Sequence, residues 1–357
     1  MSAAFSDVQF LLSSLFQFAF IVVLLYGVRR DPQNRCFMSR EYACLVKAFC
    51  CFSVMLAHTG AGEKYCILGF VHWIAVSVFF LFSGYGLSYS AARRPDYLRS
   101  FHKRILKAAI PLMLVLALKA AFSCSLWSGG MGYMLVAILF YFVFFLCRVV
   151  FGGKAVFLGL DAADWLLVVL TVLYSLSVQF FHDSRLTSLD CGSGLASVLA
   201  LFGWGCQSLG FAYGIILARH LEGFKAFLSR RRNVVVLLAC CFVLLPCFAL
   251  VYLRIRDVYF VSWTEYGIRA VMVFLFLLVI AVFSQRLRFG NPPILLVGSI
   301  SGEMFLLHGF VIEMLNRYTN VCSRQPGLFI VLVYLSTCVM GLLFHGGLQG
   351  LYRLLRI

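Results

Sequence analysis

The sequence predicts an all-α protein, a polytopic membrane helical bundle of about 10–11 transmembrane helices. Three observations predict it. Apolar residues make up 62% of the 357-residue chain and charged ones only 12%, whereas soluble domains carry about 25% charge. Stretches of about 18 or more mostly apolar residues recur along the whole length, each closed by polar or charged residues. The charges are mainly basic, for a net +16, and they sit in the short segments between those stretches. In a soluble chain such a charge would suggest nucleic acid. Confined to loops between spans, it excludes that reading.

The first stretch, roughly 8–28, has no basic residue ahead of it and is followed by Arg29 and Arg30, so it reads as an uncleaved span with its N-terminus outside. The others are expected at roughly 43–61, 67–90, 104–122, 131–150, 164–181, 197–218, 233–253, 262–284, 294–315 and 327–350. No extramembrane segment exceeds about 18 residues, so 1–357 is expected to form one membrane domain. With this order, 21 of the 30 Lys and Arg residues fall on the cytoplasmic side. Six fall outside, and Lys47, Lys119 and Arg269 lie within spans. The positive-inside rule therefore puts the C-terminus in the cytoplasm.

Fourteen cysteines would suggest metal or redox chemistry in a polar loop. Most stand inside apolar runs, such as Cys50 and Cys51, and read as small hydrophobic residues. With no CxxC or Cys/His ligand spacing in a polar loop, no metal is expected. Cys124, Cys191 and Cys322 fall in outer loops, where a disulfide stays open.

Ionisable groups at membrane depth are functional candidates, because each costs roughly 2.5–3.5 kcal/mol to insert. Lys47 and His58 lie about 16 Å apart along one helix, Lys47 near the cytoplasmic end and His58 in the outer third. Depth arithmetic puts His308, Arg269, His72 and Lys119 near the level of His58, about 20–22 Å above the cytoplasmic edge. Glu63 follows in the next loop, Glu265 and Arg269 share a helix face, and Glu303 lies near mid-membrane. Plainer roles stand beside these. Lys119 is close enough to the edge to snorkel, His72 beside Trp73 suits the interface, and Glu303 and His308 can serve helix packing.

The segment from Lys47 to His58 resembles the first motif of the integral-membrane acyltransferase 3 family, a basic residue, ten mostly apolar residues and a histidine. Phe79-Phe80-Leu81-Phe82-Ser83-Gly84-Tyr85 is similar to its Phe-Phe-x-x-Ser-Gly-aromatic segment. Leu98-Arg99, Lys103-Arg104-Ile105 and Pro111 resemble its basic stretch. Gly298-Ser299-Ile300-Ser301, with Phe305, Leu306 and His308, looks like its C-terminal segment. Four segments in family order span roughly 43–350. Lys47 stands where the family often has arginine, which keeps the charge and loses the bidentate fork. The span at 8–28 is additional.

The resemblance implies transfer of an acyl group, usually acetyl from acetyl-CoA, to a hydroxyl of a carbohydrate or lipid-linked glycan across the membrane, in a bacterial inner membrane. His58 would be the general base, since a hydroxyl needs its proton removed to attack a thioester. Glu63 would orient His58 or bind the acceptor. Lys47, Arg99, Lys103 and Arg104 would hold the coenzyme phosphates, with Ser83 and Gly84 as a small-residue step for the pantetheine arm. Arg269, Glu303 and His308 would line the acceptor site. A transporter or flippase also places charge at this depth, and a non-catalytic part of surface-polysaccharide assembly is the third alternative.

Overall fold

The computed structural model describes residues 3–32, 37–59, 72–94, 96–126, 130–154, 156–183, 205–230, 234–236, 238–244, 263–284, 287–288 and 291–357. Apolar stretches poor in Gly and Pro form helices because only intra-segment hydrogen bonding satisfies the backbone away from water. In chain order these are α1 (Ala3–Leu25), α2 (Arg40–His58), α3 (His72–Arg93), α4 (Phe101–Ala121), α5 (Met131–Phe151), α6 (Ala162–Asp183) and α7 (Gly205–Arg219). Then come α8 (Leu221–Ser229), α9 (Trp263–Ser284), α10 (Pro292–Ser299), α11 (Ser301–Tyr318), α12 (Val321–Arg324) and α13 (Pro326–Leu354). Strand β1 (Arg29–Arg30) pairs antiparallel with β4 (Leu287–Arg288), and β2 (Val156–Phe157) with β3 (Leu160–Asp161). The fold is all-α, as expected.

Among the described residues, α2, α3, α5, α6 and α13 are each long and apolar enough to cross a membrane, and α10 with α11 can make a sixth span. Shorter apolar helical stretches occupy Ser14–Leu25, Val234–Leu244 and Tyr266–Ala281. α4 covers the span expected at 104–122 but carries Lys103, Arg104, Lys107 and Lys119. Parts of the spans expected at 67–90, 197–218 and 233–253 lie outside the described residues. Cys124 and Cys322 are free thiols, and Cys191 lies outside the described residues.

The chain divides into two compact units. The first comprises Met1–Ala75, Leu106–Met134 and Leu287–Ile357. Its core sets Leu45, Ala48, Phe52 and Leu56 of α2 against Phe20 of α1, Ile294 of α10 and Ile330 of α13. That α2 spacing is one helical stripe. Phe20 stacks on Phe52 with ring centroids 3.8 Å apart, and Tyr334 meets Phe52 edge-on at 5.1 Å.

The span expected as one helix at 294–315 is broken. α10 and α11 meet at 72°. Ser299 and Ser301 turn their hydroxyls back onto the carbonyls of Leu296 and Gly298, at 2.7 and 2.8 Å, which competes with the helical ladder. Gly298 seats against the backbone of Cys44, where a Cβ would collide. The close approach of α10 to α2 therefore requires glycine.

In the second unit, Val76–Ile105 and Leu135–Arg286, α3 and α7 cross on small residues. Gly210 and Gly214 abut the backbones of Ser77 and Leu81, and Gly84 abuts that of Phe211. Such spacing lets helices touch without side chains between them. A buried ionic cluster ties helix ends together. Arg148, at the end of α5, donates to Asp161 at 2.5 Å and to Asp164, and Arg219, at the end of α7, donates to Asp164 at 2.6 Å. The Asp164 side chain has no exposure. Burial pushes the Asp161 carboxyl up, but the Asp164 backbone N–H and the two guanidiniums outweigh it and hold the group below its usual range.

Candidate active site

Among the described residues of the first unit, two titratable side chains from different helices meet as a histidine pair. Ser39 caps α2, accepting the Tyr42 N–H at 3.2 Å, so the helix starts there and runs 19 residues to His58. At its other end Thr59 anchors its hydroxyl on the Leu56 carbonyl at 2.6 Å. These ends fix Lys47 and His58 on one helix, three turns apart. α11 brings His308 to the same place. His58 Nδ1 and His308 Nε2 are 2.6 Å apart, and the rings stack with centroids 4.9 Å apart.

The tautomers follow from one carbonyl. His308 Nδ1 lies 2.7 Å from the Phe305 carbonyl oxygen, which only accepts, so Nδ1 carries the proton. The Nε2 of neutral His308 is then an acceptor, and His58 Nδ1–H must donate to it. The remaining His58 nitrogen, Nε2, holds a lone pair. His308 is fully buried, whereas His58 is exposed. One imidazole is thus locked and orients a second, which keeps its lone pair at Nε2. His72 stands next to it, ring centroid 6.5 Å from His58.

Lys119 does not snorkel. It is fully buried, and its ammonium donates to the Ser125 carbonyl at 3.2 Å. Both Glu313 oxygens accept the Ser125 N–H at 3.0 Å, and Arg317 donates to the Phe122 and Ser123 carbonyls. The turn after α4 is thereby tied to α11, the helix that carries His308. Glu303 also has a partner, His345 of α13, at 2.7 Å. Glu303 stands out in the sequence and His345 does not, because no spacing signals a contact between residues 42 apart.

Of the other residues singled out by sequence, Lys47 is half-buried on α2, in the same unit as His58. Glu63 lies outside the described residues, as does the side chain of Glu265. Ser83, Arg99, Lys103, Arg104 and Arg269 belong to the second unit. Arg104 donates to the Tyr97 hydroxyl; burial pushes that phenol up and Arg104 pulls it back in part. Arg99 pairs with Asp96 at 3.0 Å on an open surface. Ser83 accepts from the Tyr141 hydroxyl at 3.4 Å. The step beside it is filled, because Gly84 receives the Phe211 backbone. Lys103 and Arg269 are half-buried on α4 and α9.

Searches against curated proteins and against solved structures found no match. The acyltransferase 3 model, described as an acyltransferase domain, matches residues 41–345, from the first turn of α2 through His345. This stretch contains the histidine pair, the broken helix and both units' helices, and the chain is a member of that family of integral-membrane acyltransferases.

Proposed function

We propose that this membrane acyltransferase moves an acyl group, in the simplest case acetyl, from acyl-CoA to a hydroxyl of a cell-surface or lipid-linked carbohydrate, with His58 as general base. The observation that carries the reading is the hydrogen bond between His58 and His308, which leaves a lone pair on the second His58 nitrogen. His58 Nε2 takes the acceptor hydroxyl proton as the oxygen attacks the thioester carbonyl carbon. The carbon–sulfur bond breaks, and the same nitrogen returns its proton to the departing thiolate. His308 stays neutral and holds the ring. In the first unit Lys47 is assigned to the coenzyme phosphates and Glu63 and Glu303 to the acceptor; for Arg99, Lys103, Arg104 and Arg269 of the second unit the assignments to coenzyme and acceptor rest on the sequence alone. A bacterial inner membrane, with the C-terminus on the cytoplasmic side, suits a cytoplasmic acyl-CoA.

The broken α10–α11 span also suits a transporter, whose sites use discontinuous helices. One assay separates the two. Purified protein in nanodiscs, given acetyl-CoA and a lipid-linked glycan fraction, is expected to release free coenzyme thiol in proportion to acetylated glycan. Uptake of either compound into proteoliposomes without thiol release would contradict the acyltransfer reading.

A further inference from the structure

The two-residue ribbon of β1 and β4 opposes two like charges. Its register sets Arg29 directly opposite Arg288 and Arg30 opposite Leu287. Residues directly opposite in an antiparallel pair project on the same face, with Cβ atoms about 4.5–5.5 Å apart. Like charges at that spacing destabilise the pair. Arg29, Arg30 and Arg288 are all exposed, and among the described residues none of them forms an ion pair with a carboxylate. The register thus sets two exposed arginines directly opposite each other on one face of the ribbon.

α1 leads into this ribbon. Phe16, Phe20 and Leu24 face the core of the first unit, while Leu11, Leu15, Phe18, Val22 and Leu25 are 48–66% exposed. Their spacing of four and three residues makes one continuous stripe down the helix. At its end Tyr26 is 75% exposed, a residue suited to headgroup level, and Arg29 follows three residues later. Acyl chains laid along this stripe would deliver their headgroup to the paired arginines.

We infer that Arg29 and Arg288 form a clamp for the phosphate of an anionic phospholipid whose acyl chains lie against α1. Arginine binds phosphate through two parallel N–H donors, and a bridging anion turns the repulsion into an attraction. The opposed Arg29–Arg288 pair at the foot of an apolar helix face carries the inference. It is independent of the histidine site.

The test compares melting of wild-type protein, R29Q/R288Q and R353Q/R356Q, the last removing equal charge near the C-terminus. Each is placed in nanodiscs of phosphatidylcholine with and without phosphatidylglycerol. Phosphatidylglycerol is expected to raise the melting temperature of wild type and R353Q/R356Q and to leave R29Q/R288Q unmoved. In phosphatidylcholine alone, R29Q/R288Q is expected to melt no lower than wild type, because its repulsion is gone. A full phosphatidylglycerol response in R29Q/R288Q, or an equal loss in R353Q/R356Q, overturns the clamp. A third arm adds coenzyme A in phosphatidylcholine. If R29Q/R288Q loses a wild-type response to coenzyme A and keeps the response to phosphatidylglycerol, the arginines serve the donor and not a lipid.

Discussion

His58 does not define the site alone, because a histidine on a helix end turns and tautomerises freely. The Phe305 carbonyl fixes the His308 proton, His308 fixes the His58 proton, and the lone pair of His58 is left at Nε2. His308→Ala is therefore expected to lower the turnover rate by about 10²–10⁴-fold, the range a misdirected general base loses, with little change in the acyl-CoA KM. Single-turnover kinetics on purified protein would show this, and an unchanged rate would remove His308 from the mechanism. His58 and His308 were legible in the sequence as ionisable groups at membrane depth within family-like segments. Their hydrogen bond was not, because it joins positions 250 residues apart. Lys119 was misread for a related reason. Depth arithmetic placed it near the edge, but a turn carbonyl and the nearby Glu313 provide the partners that let a cation stay buried.

At the scale of the element, the break between α10 and α11 follows from glycine and serine, not from proline. Gly298→Ala pushes a methyl group into the Cys44 backbone and is expected to cost about 1–3 kcal/mol. Gly302→Ala, with open space at the Cβ position, is expected to be neutral or to gain about 0.5–1 kcal/mol. Thermal melts of the two variants in one detergent check the contrast, and equal losses would show that the close approach is not what glycine serves. The ionic cluster gives a second element-level expectation. Asp164→Asn leaves Arg148 and Arg219 short of charge in a buried setting and is expected to destabilise by about 3–5 kcal/mol. Asp161, held below its usual range, contributes stability that is complete above its unfolded value near 3.9. That contribution is lost as pH falls through the lower folded value. An acid melt series of wild type and Asp161→Asn should converge at the low-pH end. Arg148 and Arg219 looked in the sequence like ordinary positive-inside charges. Their aspartates on β3 and at the start of α6 make them structural.

At the scale of the whole molecule, composition and apolar run length predicted the all-α membrane bundle, and among the described residues the long helices overlap expected spans because both depend on the same backbone accounting. The break in the tenth span was not legible, since it depends on side-chain hydroxyls competing for carbonyls within an otherwise apolar run. The basic charge has separated into kinds: two arginines neutralised in the α5–α7 cluster, two opposed on the β1–β4 ribbon, and Lys47 on α2, the helix that carries His58. The orientation drawn from the loop charges predicts a cytoplasmic C-terminus, so a C-terminal fluorescent reporter that folds only in the cytoplasm should light up, and a dark fusion at normal protein level would reverse it. The central claim is acyl transfer by the histidine pair. Mass spectrometry of surface glycans from cells lacking the gene, complemented with wild type or His58→Ala at equal membrane levels, tests it most directly. The acyl substituent should return with wild type and stay absent with His58→Ala; its return with His58→Ala would contradict the account.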